Sequence, residues 1–500
     1  MKFLIINLIS FISLSASTIT LSMSSSPSRL NPVLANDTAS SEISDWLFNG
    51  LFKYDKNGDI TTDLASSYKF ETPTKLIVKL KDNAFWHDKQ KVTSKDIVFT
   101  YEQIISPKVF NSIKSNFNEV ENVKIVDDLT VEINYKKPYF KALETWMVGL
   151  LPYHILKDEE NLMTSSFNKN PIGTGSYMLK EFKVGQDIEL IANPDYFEGK
   201  PKIDSILYKF LPDLNTSFLY LKQKKLDIGT LDPIQLNRQI DDNFKKDYTI
   251  IQKPAFTYSY LGFNLKDEKF KDKKIREAIS LAINRQELVD ILFFGYGQVC
   301  NGPFMPHSYA YNEEVKPIVQ DIERAKELLK EAGYDEKNPF TFEVITNTGN
   351  DIRVNAAQIL QYQLQKIGVN MKIRVMEWQA FLNTVVHPRK FEAILLGWSM
   401  PLTPDAYPLW HSSSDKLGGF NLAGYKNDRV DELIEKGINT INKDELSLIY
   451  KEIFKTIADD LPYLFLYIPD GITAINNKIK NIEPTFTGIL HNQKDWEIKE

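Results

Sequence analysis

The sequence predicts an α/β protein of more than one domain, and two observations carry that expectation. Residues 340–398 alternate strand and helix patterns in the order β-α-β-α-β, which right-handed crossovers assemble into a parallel sheet. The chain runs to 500 residues, whereas single hydrophobic cores stop growing at about 250–300 residues. The composition, 43% hydrophobic and 25% charged, is that of a folded globular protein, and 12% aromatics leave rings for a pocket as well as a core. A net charge of −6 with scattered Lys and Arg argues against a nucleic-acid partner.

Taken in order, "MKFLIINLISFISLSAS" places Lys2 before an apolar run from Phe3 towards Leu14, then small residues. That is the layout of a secretory signal ending at Ser17. A membrane anchor is the rival, but "TITLSM" alternates as a first β-strand does, and no cysteine follows the apolar run to take a lipid. The expectation is a soluble, periplasmic protein without a lipid anchor. Cys300 is the sole cysteine, so no disulfide or CxxC site is possible; HExxH is absent, and Cys300 reads as a small buried filler.

Residues 85–104, "FWHDKQKVTSKDIVFTYEQI", set His87 beside Asp88. Asn83, His87, Asp88 and Lys89 suit a turn after "LIVKL". Thr93 then caps a helix, with Asp96 in the capping-box place and Ile97, Tyr101, Ile104 and Ile105 on the buried face. In "PIGTGSYMLKEF", Gly173 and Gly175 mark a tight turn before a strand. They do not form a phosphate loop, because no Lys-Ser/Thr follows and the next element is not a helix.

Within 340–398, "FTFEVIT" alternates as a strand. "IRVNAAQILQYQLQKIG" puts Ala357, Leu360, Leu364 and Ile367 on one face before Gly368. "VNMKIRV", the short helix "WQAFLNTVV" and the buried strand "FEAILLGW" complete the unit. Ligands on such sheets bind beyond the carboxyl ends of the strands. "TNTGNDIR" and "GWSMPLTPDAYPLWHSS" therefore line a crevice. Arg353, where a loop enters its helix, suits a carboxylate. Trp398, Met400, Tyr407 and Trp410, with Asp405 and His411, suit a rigid pocket wall among prolines.

In this order, "LIVKLKDNAFWHDKQKVTSKDIVFTYEQI", "NPIGTGSYMLKEFKVGQDIELIANPDYFEGKPKID", "YLGFNLKDEKFKDKKIREAISLAINRQELV", "AKELLKEAGY" and "GGFNLAGYKNDRVDELIEKG" resemble the extracytoplasmic solute-binding proteins of ABC importers. The likeness is to the peptide/nickel type, solute-binding protein family 5. It makes the His87–Asp88 pair part of a structural hallmark. It implies a two-lobed periplasmic-binding-protein fold, type II, with an extra inserted subdomain and a hinge between lobes. The implied segments are a signal peptide at 1–17, a first lobe from 18–48, 170–261 and the tail 476–500, an inserted subdomain at 49–169, and a second lobe at 262–475. The chain would cross between lobes near 260–264 and 468–475.

The resemblance further implies a monomer that binds a ligand, closes and delivers it to a membrane permease, with no catalysis and no resident cofactor. Implied ligand-binding residues are Ser24, Tyr258, Arg353, Trp398, Asp405, Trp410, His411, Asn421 and His491. Peptide binders of the family hold the ligand's α-amine with an aspartate shortly after Gly-Trp. Here Ser399–Met400–Pro401 follow Gly397–Trp398, so Asp405, the first acid, is the expected substitute. Short peptides are the expected ligand. The alternative is a nickel-uptake protein, since "SSFNKNPIGTG" and "TGILHNQKDWEI" are similar to the nickel branch. There Arg353 and His491 would hold Ni(II) in a small histidine-type chelate, with His491 the one metal ligand from the protein. A rival of another class is a secreted hydrolase using His87 or His411 with Asp405, but no GxSxG elbow or zinc motif supports it.

Overall fold

A computed structural model describes residues 17–211, 213–416, 419–485 and 488–499. The expected signal segment 1–16 lies outside the described residues. Ser17, expected at its end, belongs to the fold: its N–H and hydroxyl both reach the Asp204 carboxylate, at 2.9 and 3.0 Å.

A single sheet of twelve strands runs through the molecule. From one edge its path is Asn370–Met376, Thr341–Asn347, Ala393–Ser399, Thr257–Phe263, Tyr463–Asn476, Ile228–Leu231, Thr18–Met23, Ser205–Phe210, Asp187–Ala192 and Tyr177–Lys183. The first three are parallel neighbours joined through helix Asp351–Gln365 and a short helical turn from Trp378, which is the β-α-β-α-β unit read from the sequence. Alternation decides which core each side chain enters. Along Thr257–Phe263, Tyr258 and Tyr260 pack on one face with Trp410, Tyr450 and Tyr463. Leu261 and Phe263 pack on the other, against the helix residues Leu360 and Leu364.

Strand Tyr463–Asn476 is common to both halves. Its first part pairs with Thr257–Phe263, and its last part with Ile228–Leu231 and Tyr248–Pro254. The other connection between halves runs through Ala255 and Phe256, which separate Tyr248–Pro254 from Thr257–Phe263. Strand Thr257–Phe263 lies wholly in the second half. Ala255 and Phe256 are the break between these two strands, a few residues before the expected crossing at 260–264.

The strand at Thr18–Met23 buries Ile19, Leu21 and Met23 as its alternation predicts. They share one core with the four-stranded antiparallel sheet Ala65–Thr72, Lys75–Leu80, Thr130–Tyr135 and Val120–Asp127 and with helix Ser94–Ile105. The inserted region is thus packed as part of the first lobe. The tail returns to it as well, with Trp496 buried at 5.8 Å from Trp46, ring to ring.

Candidate ligand cleft between the lobes

The second-lobe wall is built where the parallel strands end. Strand Thr341–Asn347 closes on Asn347, and Asn350 caps helix Asp351–Gln365 by accepting the Arg353 N–H at 2.9 Å. The Arg353 side chain turns back and donates from Nη1 to Asn347 Oδ1 at 2.5 Å. It is half-buried, and burial pulls its pKa below the usual value, opposed by the neighbouring Tyr467 and Tyr260 hydroxyls. A guanidinium stays charged regardless. Among the described residues no carboxylate lies within ion-pair distance of it, so the protein supplies this cation with no counter-charge.

Beside Arg353 stands an aromatic wall. Tyr260 stacks on Tyr463 at 4.0 Å and lies nearly parallel to Trp398 at 6.2 Å. Gly397 keeps the backbone close here: a Cβ on it would lie 2.9 Å from Tyr258 O and 3.7 Å from Arg353 Nη2. Trp398 is half-buried and meets exposed Phe420 edge-on at 5.9 Å, which gives the wall an accessible aromatic lip. Tyr258 and Trp410, expected at the ligand, are instead interior, each 1% exposed. Among the described residues Tyr258 Oη and Trp410 Nε1 have no hydrogen-bond partner.

Three other expected residues have structural duties that sequence position did not reveal. Asn421 is buried and fully engaged with backbone, donating to Tyr425 O at 2.8 Å and accepting the Tyr425 N–H at 2.9 Å. It braces the 421–425 loop. His411 stacks on Tyr407 at 4.4 Å and engages Ser413 through Nδ1 at 2.7 Å, with Nε2 3.5 Å from Glu435. Asp405 pairs with Lys141 at 2.8 Å across the lobes and caps the Tyr407 N–H at 3.0 Å. Ser24 is exposed, one residue beyond strand Thr18–Met23. Lys141 was invisible to sequence reasoning because it is 264 residues from its partner.

His87 is answered by geometry too. Its Nδ1 accepts the Gly173 N–H and its Nε2 lies against Gly175 O, both at 3.1 Å. It ties the glycine turn to the turn before helix Ser94–Ile105. Asp88 pairs instead with His154 at 2.7 Å. Neither arrangement presents a nucleophile.

On the first-lobe side a cavity of about 370 Å³ is lined by Phe52, Lys53, Tyr54, Glu198 and His491, with Leu402 from the second lobe. Both ring nitrogens of His491 are buried, and among the described residues neither has a partner at hydrogen-bond distance; Glu483 lies 3.9 Å from Nε2 and opposes the effect of burial on the ring. Burial is the main cause that lowers its pKa, which favours the neutral, ligating form of the ring. Arg353 is not among the walls of this cavity.

Comparison with known proteins gives concordant matches. The family model for bacterial extracellular solute-binding proteins, family 5, middle region, matches residues 59–419. The chain is 32% identical to the oligopeptide-binding protein AppA of Bacillus subtilis over 489 residues, 94% of this chain and 89% of that protein. The structure of AppA in complex with a nonapeptide superposes with a TM-score of 0.80 at 31% identity, covering 97% of this chain and 99% of that one. NikZ from Campylobacter jejuni, in complex with Ni(L-His), superposes with a TM-score of 0.82 at 29% identity, covering 97% and 100%.

Proposed function

This chain belongs to the bacterial extracellular solute-binding proteins of family 5, and from that premise we propose that it captures short peptides and hands them to the permease of an ABC importer. It is a solute-binding protein and not an enzyme. The observation that carries the peptide reading is Arg353, a half-buried guanidinium without an acid partner, at the loop end of a parallel strand and beside the Tyr260–Trp398 wall. A peptide's terminal carboxylate is the natural counter-ion, and two parallel N–H···O bonds would fix its direction. Aromatic faces alongside hold side chains by contact area without demanding one sequence. The likeness to AppA, solved with a nonapeptide, supports the same class of ligand.

Capture would proceed by closure about the two inter-lobe connections, a hinge of short extended segments. Delivery to membrane subunits and export by the segment ending near Ser17 belong to this proposal. Among the described residues no helix is long and apolar enough to cross a membrane.

A second reading has its own observation. His491, neutral and with both nitrogens unbonded beside a cavity, is a competent ligand for nickel carried in a small chelate. The likeness to NikZ supports it. Mass spectrometry of what co-purifies with protein from its native cell, with metal analysis of the same sample, separates the two. Peptides without nickel are the expected result; stoichiometric nickel with free histidine overturns the peptide reading.

A further inference from the structure

Two charged groups were expected to hold the two ends of a peptide, and the structure treats them oppositely. Among the described residues Arg353 has no ion partner, its guanidinium donating to Asn347. Asp405 has both carboxylate oxygens occupied from within: Oδ2 receives Lys141 Nζ at 2.8 Å and Oδ1 receives the Tyr407 N–H at 3.0 Å. This is not a loose surface bridge, for the Lys141 side chain is 12% exposed and that of Asp405 23%. It sits on a seam where the inserted region meets the second lobe. There Tyr54 Oη meets Thr403 Oγ1 at 2.8 Å, the Phe140 N–H bonds Ile438 O at 3.2 Å, and Lys443 pairs with Asp59.

We propose that Lys141 is the protein's own stand-in for a ligand ammonium, so that the cleft selects ligands by a carboxylate at Arg353 and makes no demand on a free amino terminus. The chemistry follows from the pair. An incoming ammonium could reach Asp405 only by displacing Lys141, which breaks a mostly buried ion pair and leaves the lysine only the more distant Glu144 carboxylate; that is more costly than the new pair is favourable. The ligand class is therefore peptides with a free carboxyl end and any amino end, N-acylated ones included. Lys141 becomes a specificity-determining residue supplied by the inserted region. This inference rests on the peptide reading above.

The test is competitive retention. Wild-type full-length protein is incubated with an equimolar tripeptide library in which every sequence is present with a free and with an N-acetylated terminus. Retained peptides are then counted by mass spectrometry. Wild type should retain the two forms within about threefold of each other, and Lys141→Met should favour the free amine by about tenfold or more. A preference of about tenfold for the free amine in wild type overturns the inference while leaving the peptide reading intact. Retention of no peptide in either form overturns the peptide reading, and the inference with it. The wild-type ratio decides even if Lys141→Met fails to fold.

Discussion

Arg353 carries a full charge into a half-buried position and receives only the Asn347 carboxamide in return. Such a group costs the ligand-free fold its desolvation and repays it only when an anion arrives. Arg353→Ala should therefore leave the unfolding temperature of the ligand-free protein nearly unchanged. Peptide affinity should fall by about tenfold to a hundredfold, the loss of one charge-assisted pair of about 1.5–3 kcal/mol. Thermal melts with and without peptide measure both, and a collapse of the ligand-free protein would make the arginine structural. His87 behaves in the opposite sense. Burial pushes its pKa down to about 4, below the value of about 6.5 for an unfolded chain. The unfolded state thus takes up its proton first as pH falls. The stability that neutral His87 contributes is whole above pH ~6.5 and drains away between there and pH ~4. Urea unfolding at pH 7 and pH 4.5 should show a loss larger in wild type than in His87→Gln by about 2 kcal/mol. An equal pH dependence would show that the ring bonds to Gly173 and Gly175 are unimportant.

At the level of elements, the local patterns were legible and the meeting points were not. The strand at Thr18–Met23, the helix after Thr93 with Asp96 accepting the Thr93 N–H at 2.8 Å, and the β-α-β-α-β unit all follow from side-chain period and capping chemistry. The glycine turn was legible as a turn, but its reason lies in tertiary structure. It runs against the end of helix Thr38–Leu47, where the Gly175 N–H bonds Leu47 O at 2.8 Å. A Cβ on Gly175 would fall 2.2 Å from Trp46 O, and one on Gly173 1.8 Å from Leu47 O. Gly175→Ala should thus destabilise the first lobe by about 1–3 kcal/mol or more, since backbone must move, and denaturant midpoints measure it. "YLGFN" reads as a strand whichever neighbours it joins; only the pairing of Tyr260 with Leu396 and Phe465 gives its partners. At the candidate site, the strand-end position of Arg353 and Trp398 was legible in the sequence. The bracing of Asn421 on Tyr425 and the edge contact of Trp410 with the same ring depend on the fold of the loop between them, which side-chain period does not report.

Across the described residues, one sheet passes through both lobes, and Phe140, Ile438 and Tyr296 each pack against cores on both sides of the crossing. The seam joins polar contacts, Tyr54 with Thr403 and Lys141 with Asp405, to the apolar packing of Phe140 and Ile438. A peptide at a hundredfold excess over its dissociation constant should raise the unfolding free energy by about 2.7 kcal/mol, visible as a shift of the melting curve. The central claim is that the cleft holds a peptide by its terminal carboxylate at Arg353. Calorimetric titration of the wild-type protein with one retained tripeptide and with its C-terminal amide tests that claim most directly. The account predicts that amidation weakens binding by about tenfold or more; equal affinity for the acid and the amide would contradict it.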